Sequence, residues 1–214
     1  RAFITLASVA YARAAEQAAL ARIKALSTNV AGFSPVLGSA RDAIAEFATG
    51  AYSLRTRNRV AQTTPVRVIA PEALRTSIII DLVRQLPGDG AVGRAEAMLA
   101  DALREINVVV TWTPDLIVPG AEAGTLAQVP TTIEYALFLD GTFDHGTGIN
   151  IDLGFEAGTP IRDSRLNGVN DYELFMEAGE QVVKFGGHQA LWVTTSFCPS
   201  GSSAGSVEVT CEGS

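Results

Sequence analysis

Strand-like and helix-like segments alternate along the middle of the chain, and this alternation restricts the possible folds more than any other feature. Residues 65–69 alternate between apolar and polar side chains as a half-buried strand does, and residues 108–112 form a run of residues that favour strands. Between them, apolar residues recur at helical spacing from 71 to 86, and residues 94–105 form a second predicted helix. The sequence therefore predicts an α+β fold, in which helices pack against a sheet.

Further helices are predicted on either side of this region. Residues 2–26 are rich in alanine and other helix-favouring residues, which predicts one helix of roughly 37 Å. A second helix is predicted from Ser39, whose side chain can cap the first turn, to residue 54. Apolar residues also recur at helical spacing from 174 to 185, which predicts a helix there.

The rest of the chain is predicted to form strands, loops and a tail. Strands are expected at residues 131–139, 149–153 and 190–197. Residues 119–130 have the composition of a loop, and the glycine-rich segment 143–148 that follows the Asp140-Gly141 turn is expected to be a loop tip. Beyond Pro199 the Gly, Ser and Thr content is typical of disordered ends.

The composition bounds the function classes. The chain has 214 residues, of which 47% are hydrophobic, and this is ample for a packed core. Its formal net charge of -7 argues against a protein that coats nucleic acid by neutralising phosphates, because that mode needs surplus Lys and Arg. Two cysteines, Cys198 and Cys211, are too few to define a disulfide framework or a four-ligand zinc site.

The opening residues read as though the chain begins inside a structural element, so we expect a further segment upstream. A signal peptide is the alternative, because Ala10-Tyr11-Ala12 has the A-x-A pattern of a cleavage site. However, Arg13 interrupts the apolar run well before the ~20 residues that a membrane span needs. We therefore expect no membrane association.

One motif points to a nucleotide-binding enzyme. Gly88, Gly90 and Gly93 form a G-x-G-x-x-G pattern ahead of a predicted helix, with Asp115 at about the distance of a ribose-binding acid. That fingerprint requires a strand to run directly into the first glycine, whereas the preceding residues have helical spacing. The pattern therefore favours a turn between two helices, and we expect no cofactor.

Other catalytic and metal-binding patterns are weak. His145 and His188 are the only histidines, and no G-x-S-x-G elbow is present to supply a nucleophile. The chain also lacks the H-E-x-x-H and C-x-x-C patterns of zinc sites. We therefore expect structural roles for both histidines, with no catalytic residue and no metal.

A basic cluster closes the second predicted helix. Arg55, Arg57 and Arg59 could contact DNA phosphates, or they could pair with carboxylates of a neighbouring subunit. Acidic residues outnumber basic ones by 23 to 16, so a second copy offers many carboxylates. The cluster is therefore a predicted assembly contact.

Five short motifs carry a resemblance to a known family. They are Thr111-Trp-Thr-Pro-Asp115, Ile151-Asp-Leu-Gly154, Arg162-Asp-Ser164, Asn170-Asp-Tyr172 and Cys198-Pro-Ser-Gly201. In this order and spacing the chain resembles the major capsid proteins of tailed phages of actinobacteria, which have the Hong Kong 97-like capsid fold. Arg165 and Phe185 depart from the family pattern, so local contacts there are expected to differ.

The resemblance implies a domain organisation. Residues 1–32 correspond to the spine helix of a peripheral domain, 33–160 to an axial α/β domain, 161–200 to a return into the peripheral domain, and 201–214 to a flexible tail. The amino-terminal arm and extended loop of the family are missing from this stretch.

The resemblance also implies a structural function in the virion, after assembly in the bacterial cytoplasm. The expected partners are further copies in hexamers and pentamers, together with scaffold, portal and decoration proteins. Contact with packaged double-stranded DNA is expected to be weak. Phe143, Asp144 and His145, in the predicted loop tip, are expected to lie near a symmetry axis of the shell.

Two alternatives stay open. Encapsulin nanocompartments share the fold but enclose enzymes in place of DNA, and the motifs between 162 and 172 weigh against them. The nucleotide-binding enzyme rests on the glycine pattern alone.

Overall fold

A computed structural model of the protein describes residues 2–32, 38–86, 88, 90–116, 132–147, 152–157, 172–177, 180–185 and 189–196. The helices are α1 (Ala2–Leu26), α2 (Ser39–Asn58), α3 (Glu72–Gln85) and α4 (Ala91–Glu105). The strands are β1 (Thr28–Ala31), β2 (Val66–Pro71), β3 (Val108–Thr113), β4 (Thr132–Leu139), β5 (Phe143–Thr147), β6 (Asp152–Ala157), β7 (Tyr172–Glu177), β8 (Glu180–Lys184) and β9 (Ala190–Ser196). The predicted α+β class is therefore confirmed.

The main sheet has five strands in the order β1-β9-β4-β2-β3. β4 runs antiparallel to both of its neighbours, β2 and β9, whereas the two outer pairs, β1 with β9 and β2 with β3, are parallel. β5 pairs with β8 and β6 pairs with β7 in separate two-stranded sheets. The main sheet thus draws strands from both sides of the predicted boundaries at 33 and 160, and these boundaries stay a prediction.

One face of the main sheet is covered by α2, α3 and α4. The apolar side chains of these helices pack against those of β2, β3, β4 and β9 in one continuous core. At its centre the Phe47 ring packs edge-on against the Tyr135 ring, with centroids 5.2 Å apart and an interplanar angle of 82°. Both side chains are fully buried, so this aromatic pair joins α2 to β4.

α1 crosses the opposite face of the sheet. Near its end, Ile23 packs in a second core that includes Phe138 and Trp192, and Lys24 lies 5.2 Å from the Trp192 ring centre. Farther back, Glu16 accepts a hydrogen bond from the Thr113 hydroxyl at the end of β3 (2.6 Å). The predicted helix over residues 2–26 is confirmed, and its later half spans the sheet from β3 to β9.

Glu134 is held where α1 meets the sheet. Its carboxylate accepts hydrogen bonds from Lys24 Nζ (2.5 Å) and Trp192 Nε1 (2.9 Å). Burial raises the pKa of Glu134, but the hydrogen bonds from Lys24 and Trp192 outweigh burial, and the pKa lies below its ordinary value. The charged pair thereby anchors the end of α1.

The predicted cap of α2 is wrong. Ser39 is the first residue of the helix, and its hydroxyl accepts a hydrogen bond from Ser77 of α3 (2.9 Å) instead of capping the turn. The free N–H of Ala40 donates to the Asp81 carboxylate of α3 (2.9 Å). The buried Asp81 of α3 therefore caps the amino end of α2, where a carboxylate is favourable.

Two further predictions over the second half of the chain are also wrong. The expected helix near 174–185 consists of β7 and β8, whose ladder partners β6 and β5 come from earlier in the chain. The expected loop tip at 143–148 is largely the strand β5. The predicted loop at 119–130, His188, both cysteines and the tail lie outside the described residues.

In the part of the chain that the structure describes, no helix is both long and apolar enough to span a bilayer.

Candidate assembly surface

A buried carboxylate joins α2 to the main sheet. Glu46 accepts hydrogen bonds from the Tyr135 hydroxyl of β4 (2.8 Å) and from the Thr195 hydroxyl of β9 (2.6 Å). All three residues are buried. Gly32 lies against them, because a methyl group at its α-carbon would come within 2.5 Å of both Thr195 and Glu46. These four positions fix how closely α2 can approach the sheet.

The tyrosine of this cluster is strongly perturbed. Burial raises the pKa of Tyr135 well above its ordinary value, and the nearby negative charge and hydrogen bonding of Glu46 raise it further. The phenol therefore stays protonated at physiological pH and acts as a donor to the carboxylate. The phenol thus stabilises the packing of α2 on β4.

An open groove runs beside this cluster, along α2. Its volume is about 160 Å³, and α2 contributes Glu46, Thr49, Gly50, Ser53 and Arg57 to one wall. The opposite wall comes from β1, and the floor from β4 and β9. We call it the β1 groove. The α2 residues recur every three or four positions, so they form one polar stripe that is roughly 16 Å long.

β1 forms the outer wall of this groove and one edge of the main sheet. All four of its residues are exposed, including the apolar Val30, which is 39% exposed. Gly32 N–H donates to the Thr194 carbonyl of β9 (2.8 Å). Because successive N–H groups of a strand alternate in direction, those of Asn29 and Ala31 point away from β9, toward the free edge.

The three predicted assembly arginines have different environments. Arg55 is only 5% exposed, and its guanidinium donates to the carbonyls of Thr64 (2.9 Å), Ile106 (3.1 Å) and Asn107 (2.8 Å). Burial lowers the pKa of Arg55. The cation thus closes the end of α4, where helix carbonyls favour positive charge. Arg55 therefore lies in the domain interior and is not available as a solvent-facing contact for a neighbouring subunit.

Arg57 and Arg59 remain on the surface. Arg57 borders the β1 groove, and its guanidinium donates to the Gln189 side-chain carbonyl (3.1 Å). Arg59 ends α2 in the left-handed conformation, with φ of 54°. Both are exposed, and their role in assembly stays a prediction.

The second predicted group lies on β5. Phe143 packs edge-on against Phe138, with ring centroids 5.0 Å apart, and Asp144 is exposed. β5 pairs with β8 along its length, with His145 opposite Val182. The side chain of His145 lies outside the described residues. The structure therefore places these residues on a paired strand, and their position in a shell is still a prediction.

A second open cavity separates α1 from β8. Its volume is about 510 Å³, and its wall combines the apolar Ala18, Leu26 and Val182 with the cationic Arg22 and Lys184. Lys184 Nζ donates to the Leu26 carbonyl at the end of α1 (3.0 Å). That bond places a positive charge at the helix carboxyl end, where it is stabilising.

One family-like motif lies at the junction of helix and sheet. Thr113 is 3% exposed, and its hydroxyl donates to Glu16 of α1 while it accepts the N–H of Asp115 (3.1 Å). The motif from Thr111 to Asp115 therefore holds α1 on the sheet. The motifs at 162–164 and 198–201 lie outside the described residues.

The first two glycines of the pattern lie between two helices, as predicted, and the third, Gly93, lies within α4. Gly88 and Gly90 have φ of 84° and 77°, and α4 begins at the next residue. Helix α3, and no strand, precedes the first glycine, so the arrangement lacks the strand-to-helix turn of a dinucleotide site. The described residues contain no group of three or more metal-binding side chains.

The chain matches no protein-family model, no curated protein and no solved structure.

Proposed function

We propose that this chain is a major capsid subunit with the Hong Kong 97-like fold. Copies of it would assemble into the hexamers and pentamers of an icosahedral phage head around double-stranded DNA. The five motifs that resemble the family support this proposal, and one of them joins the long helix to the sheet through Thr113.

The exposure of α1 is the observation that favours a structural, self-associating role most. From residue 9 to residue 18, every side chain is exposed except Tyr11 and Ala15, which are half-buried. This stretch is joined to the sheet by the hydrogen bond from Thr113 to Glu16, and apolar packing of the helix begins farther along, at Leu20 and Ile23. A helix of 25 residues normally depends on packing for its stability, so the exposed side chains of this stretch are suited to contact neighbouring subunits.

The edges and surface of the α/β domain are suited to the same role. Both edges of the main sheet, β1 and β3, are unpaired by any other described strand. Several large apolar side chains are exposed: Val9, Val30, Tyr52, Val92, Met98, Val109, Val183 and Phe185. Open edges and exposed apolar groups are typical of surfaces that pair with other chains.

The charge fits a shell that encloses DNA without binding it tightly. The chain has a formal net charge of -7, so its summed field repels phosphate at long range. Contacts with packaged DNA would be weak and local. Scaffold, portal and decoration proteins are further proposed partners.

The proposal is tested by electron microscopy of the purified protein in negative stain. We expect closed shells of uniform size. Ala14→Glu, on the exposed face of α1, should prevent their formation while it changes the unfolding free energy of the subunit by less than about 0.5 kcal/mol. A wild-type protein that stays monomeric at high concentration would contradict the proposal.

The contents of native particles separate the proposal from the encapsulin alternative. Double-stranded DNA inside particles recovered from the organism that makes the protein would support a phage head. An enzyme cargo without DNA would support a nanocompartment.

A further inference from the structure

We propose that the free edge of β1, together with the β1 groove, accepts an extended segment from a second copy of this chain as an additional strand. This inference rests on the proposed function and names the surface through which one subunit would hold the next.

Hydrogen bonding provides the first argument. The N–H groups of Asn29 and Ala31 point away from β9, and no other described strand pairs with this edge. Unpaired edge groups form a template for another strand, and β3 at the other edge shows that this sheet already contains parallel outer pairs. β1 contains no proline and no charged residue, either of which could block such pairing.

Side-chain packing provides the second argument. Val30 is 39% exposed and lines the β1 groove, whose floor includes the buried Leu191 and Val193. An added strand would place its own side chains beside Val30, because neighbouring strands lie only about 4.8 Å apart. The added strand would then cover the apolar side chain of Val30, which is partly exposed to water in a lone subunit.

Charge complementarity favours another copy as the occupant. Arg57 lies at one end of the groove, and the neutral Gln189 side chain is its hydrogen-bond partner among the described residues. The chain has 23 acidic residues against 16 basic ones, so a second copy readily supplies a carboxylate at this position. Electrostatic complementarity of this kind fixes register as well as adding attraction.

Proline substitution tests the hydrogen bonds. Ala31→Pro removes an outward N–H and no N–H that pairs with β9, and proline is tolerated at such edge positions. We expect the free subunit to keep its circular dichroism spectrum, while the concentration needed for shell formation rises at least about fivefold. Normal shell formation by a folded Ala31→Pro variant would overturn the inference.

A charge reversal tests the occupant. Arg57→Glu should raise the concentration needed for shell formation, whereas Arg41→Glu makes the same charge change at an exposed site on α2 away from the groove. We expect shells at the wild-type concentration only with Arg41→Glu. Equal effects of the two variants would mean that Arg57 acts through net charge alone, and the commitment to an acidic segment in this groove would be wrong.

Hydrogen–deuterium exchange of the wild-type protein decides the matter even if Ala31→Pro fails to fold. The amides of Asn29 and Ala31 should exchange more slowly in shells than in free subunits. Equal exchange rates in both states would refute the inference and leave the proposed function standing. A wild-type protein that forms no shells would refute both.

Discussion

Tyr135 donates its hydroxyl hydrogen to Glu46 over 2.8 Å, and this bond links a strand in the middle of the sheet to the helix that covers it. The two residues are 89 positions apart in the chain. Thr195 adds a second donor from β9, so one carboxylate holds three elements together. The β1 groove lies directly beside this junction, and the junction therefore gives the proposed strand contact a rigid support.

Loss of the tyrosine hydroxyl should destabilise the fold. Tyr135→Phe keeps the ring packed edge-on against Phe47 but leaves the buried Glu46 with one donor fewer. We expect a loss of about 1–3 kcal/mol in unfolding free energy, measured by urea denaturation. Tyr52→Phe is the matched control, because Tyr52 is 59% exposed and its change should stay within about 0.5 kcal/mol.

The same tyrosine predicts a dependence on alkaline pH. Because the folded pKa of Tyr135 lies well above the ordinary value of 10.0, the fold favours the protonated phenol. The associated stability is fully present below about pH 10 and is lost as pH rises toward the folded pKa. The stability difference between wild type and Tyr135→Phe should therefore shrink above about pH 10. A difference that stays constant or grows in this range would contradict the assignment.

Removal of the positive charge should affect stability much more at Arg55 than at Arg57. Arg55→Met removes the guanidinium donor of the Thr64, Ile106 and Asn107 carbonyls, and we expect a loss of about 2–4 kcal/mol in unfolding free energy. Arg57→Gln should change stability by less than about 0.5 kcal/mol, because its side chain is exposed. Comparable losses in thermal denaturation of the two variants would show that Arg55 is not buried as described.

Two glycines predict alanine substitutions of opposite sign. Gly32→Ala would force a methyl group within 2.5 Å of Thr195 and Glu46, so it should destabilise the fold by about 1–3 kcal/mol. Gly93 lies within α4 and has open space around it, so Gly93→Ala should stabilise by about 0.5–1 kcal/mol. A neutral Gly32→Ala would mean that Gly32 does not lie against Thr195 and Glu46.

Two buried threonines predict a further contrast. The buried Thr142 hydroxyl has no hydrogen-bond partner among the described residues, so Thr142→Val should be neutral or stabilise the fold by up to about 1 kcal/mol. The Thr195 hydroxyl donates to Glu46, so Thr195→Val should destabilise by about 1–3 kcal/mol. Melting temperatures that shift in the same direction for both variants would contradict this difference.

Local sequence patterns correctly predicted the helices and strands that composition or periodicity marks without reference to a distant part of the chain. Alanine content was enough for α1, and the alternation at 65–69 and the run of strand-favouring residues at 108–112 located β2 and β3. The segment of β7 has two competing patterns: helical spacing of apolar residues from 174 onward, and the strand-like alternation of Tyr172, Leu174 and Met176. The strand that it pairs with lies about 20 positions earlier, beyond the reach of a local pattern.

The candidate surface was harder to foresee than the fold. Glu46 and Thr195 are separated by 149 positions, so only tertiary packing brings them together. Arg55 did carry a signal, because it continues the buried stripe of Phe47 and Ala51 at four-residue spacing. Its charge suggested solvent instead, since an arginine is seldom fully buried unless its donors are satisfied.

Electron cryomicroscopy of the purified, assembled protein tests the proposed function most directly. We expect a closed icosahedral shell in which neighbouring copies cover residues 9–18 of α1 and the free edge of β1. A single-copy particle, or an assembly in which both surfaces remain exposed to solvent, would contradict the proposal that this chain builds a shell through them.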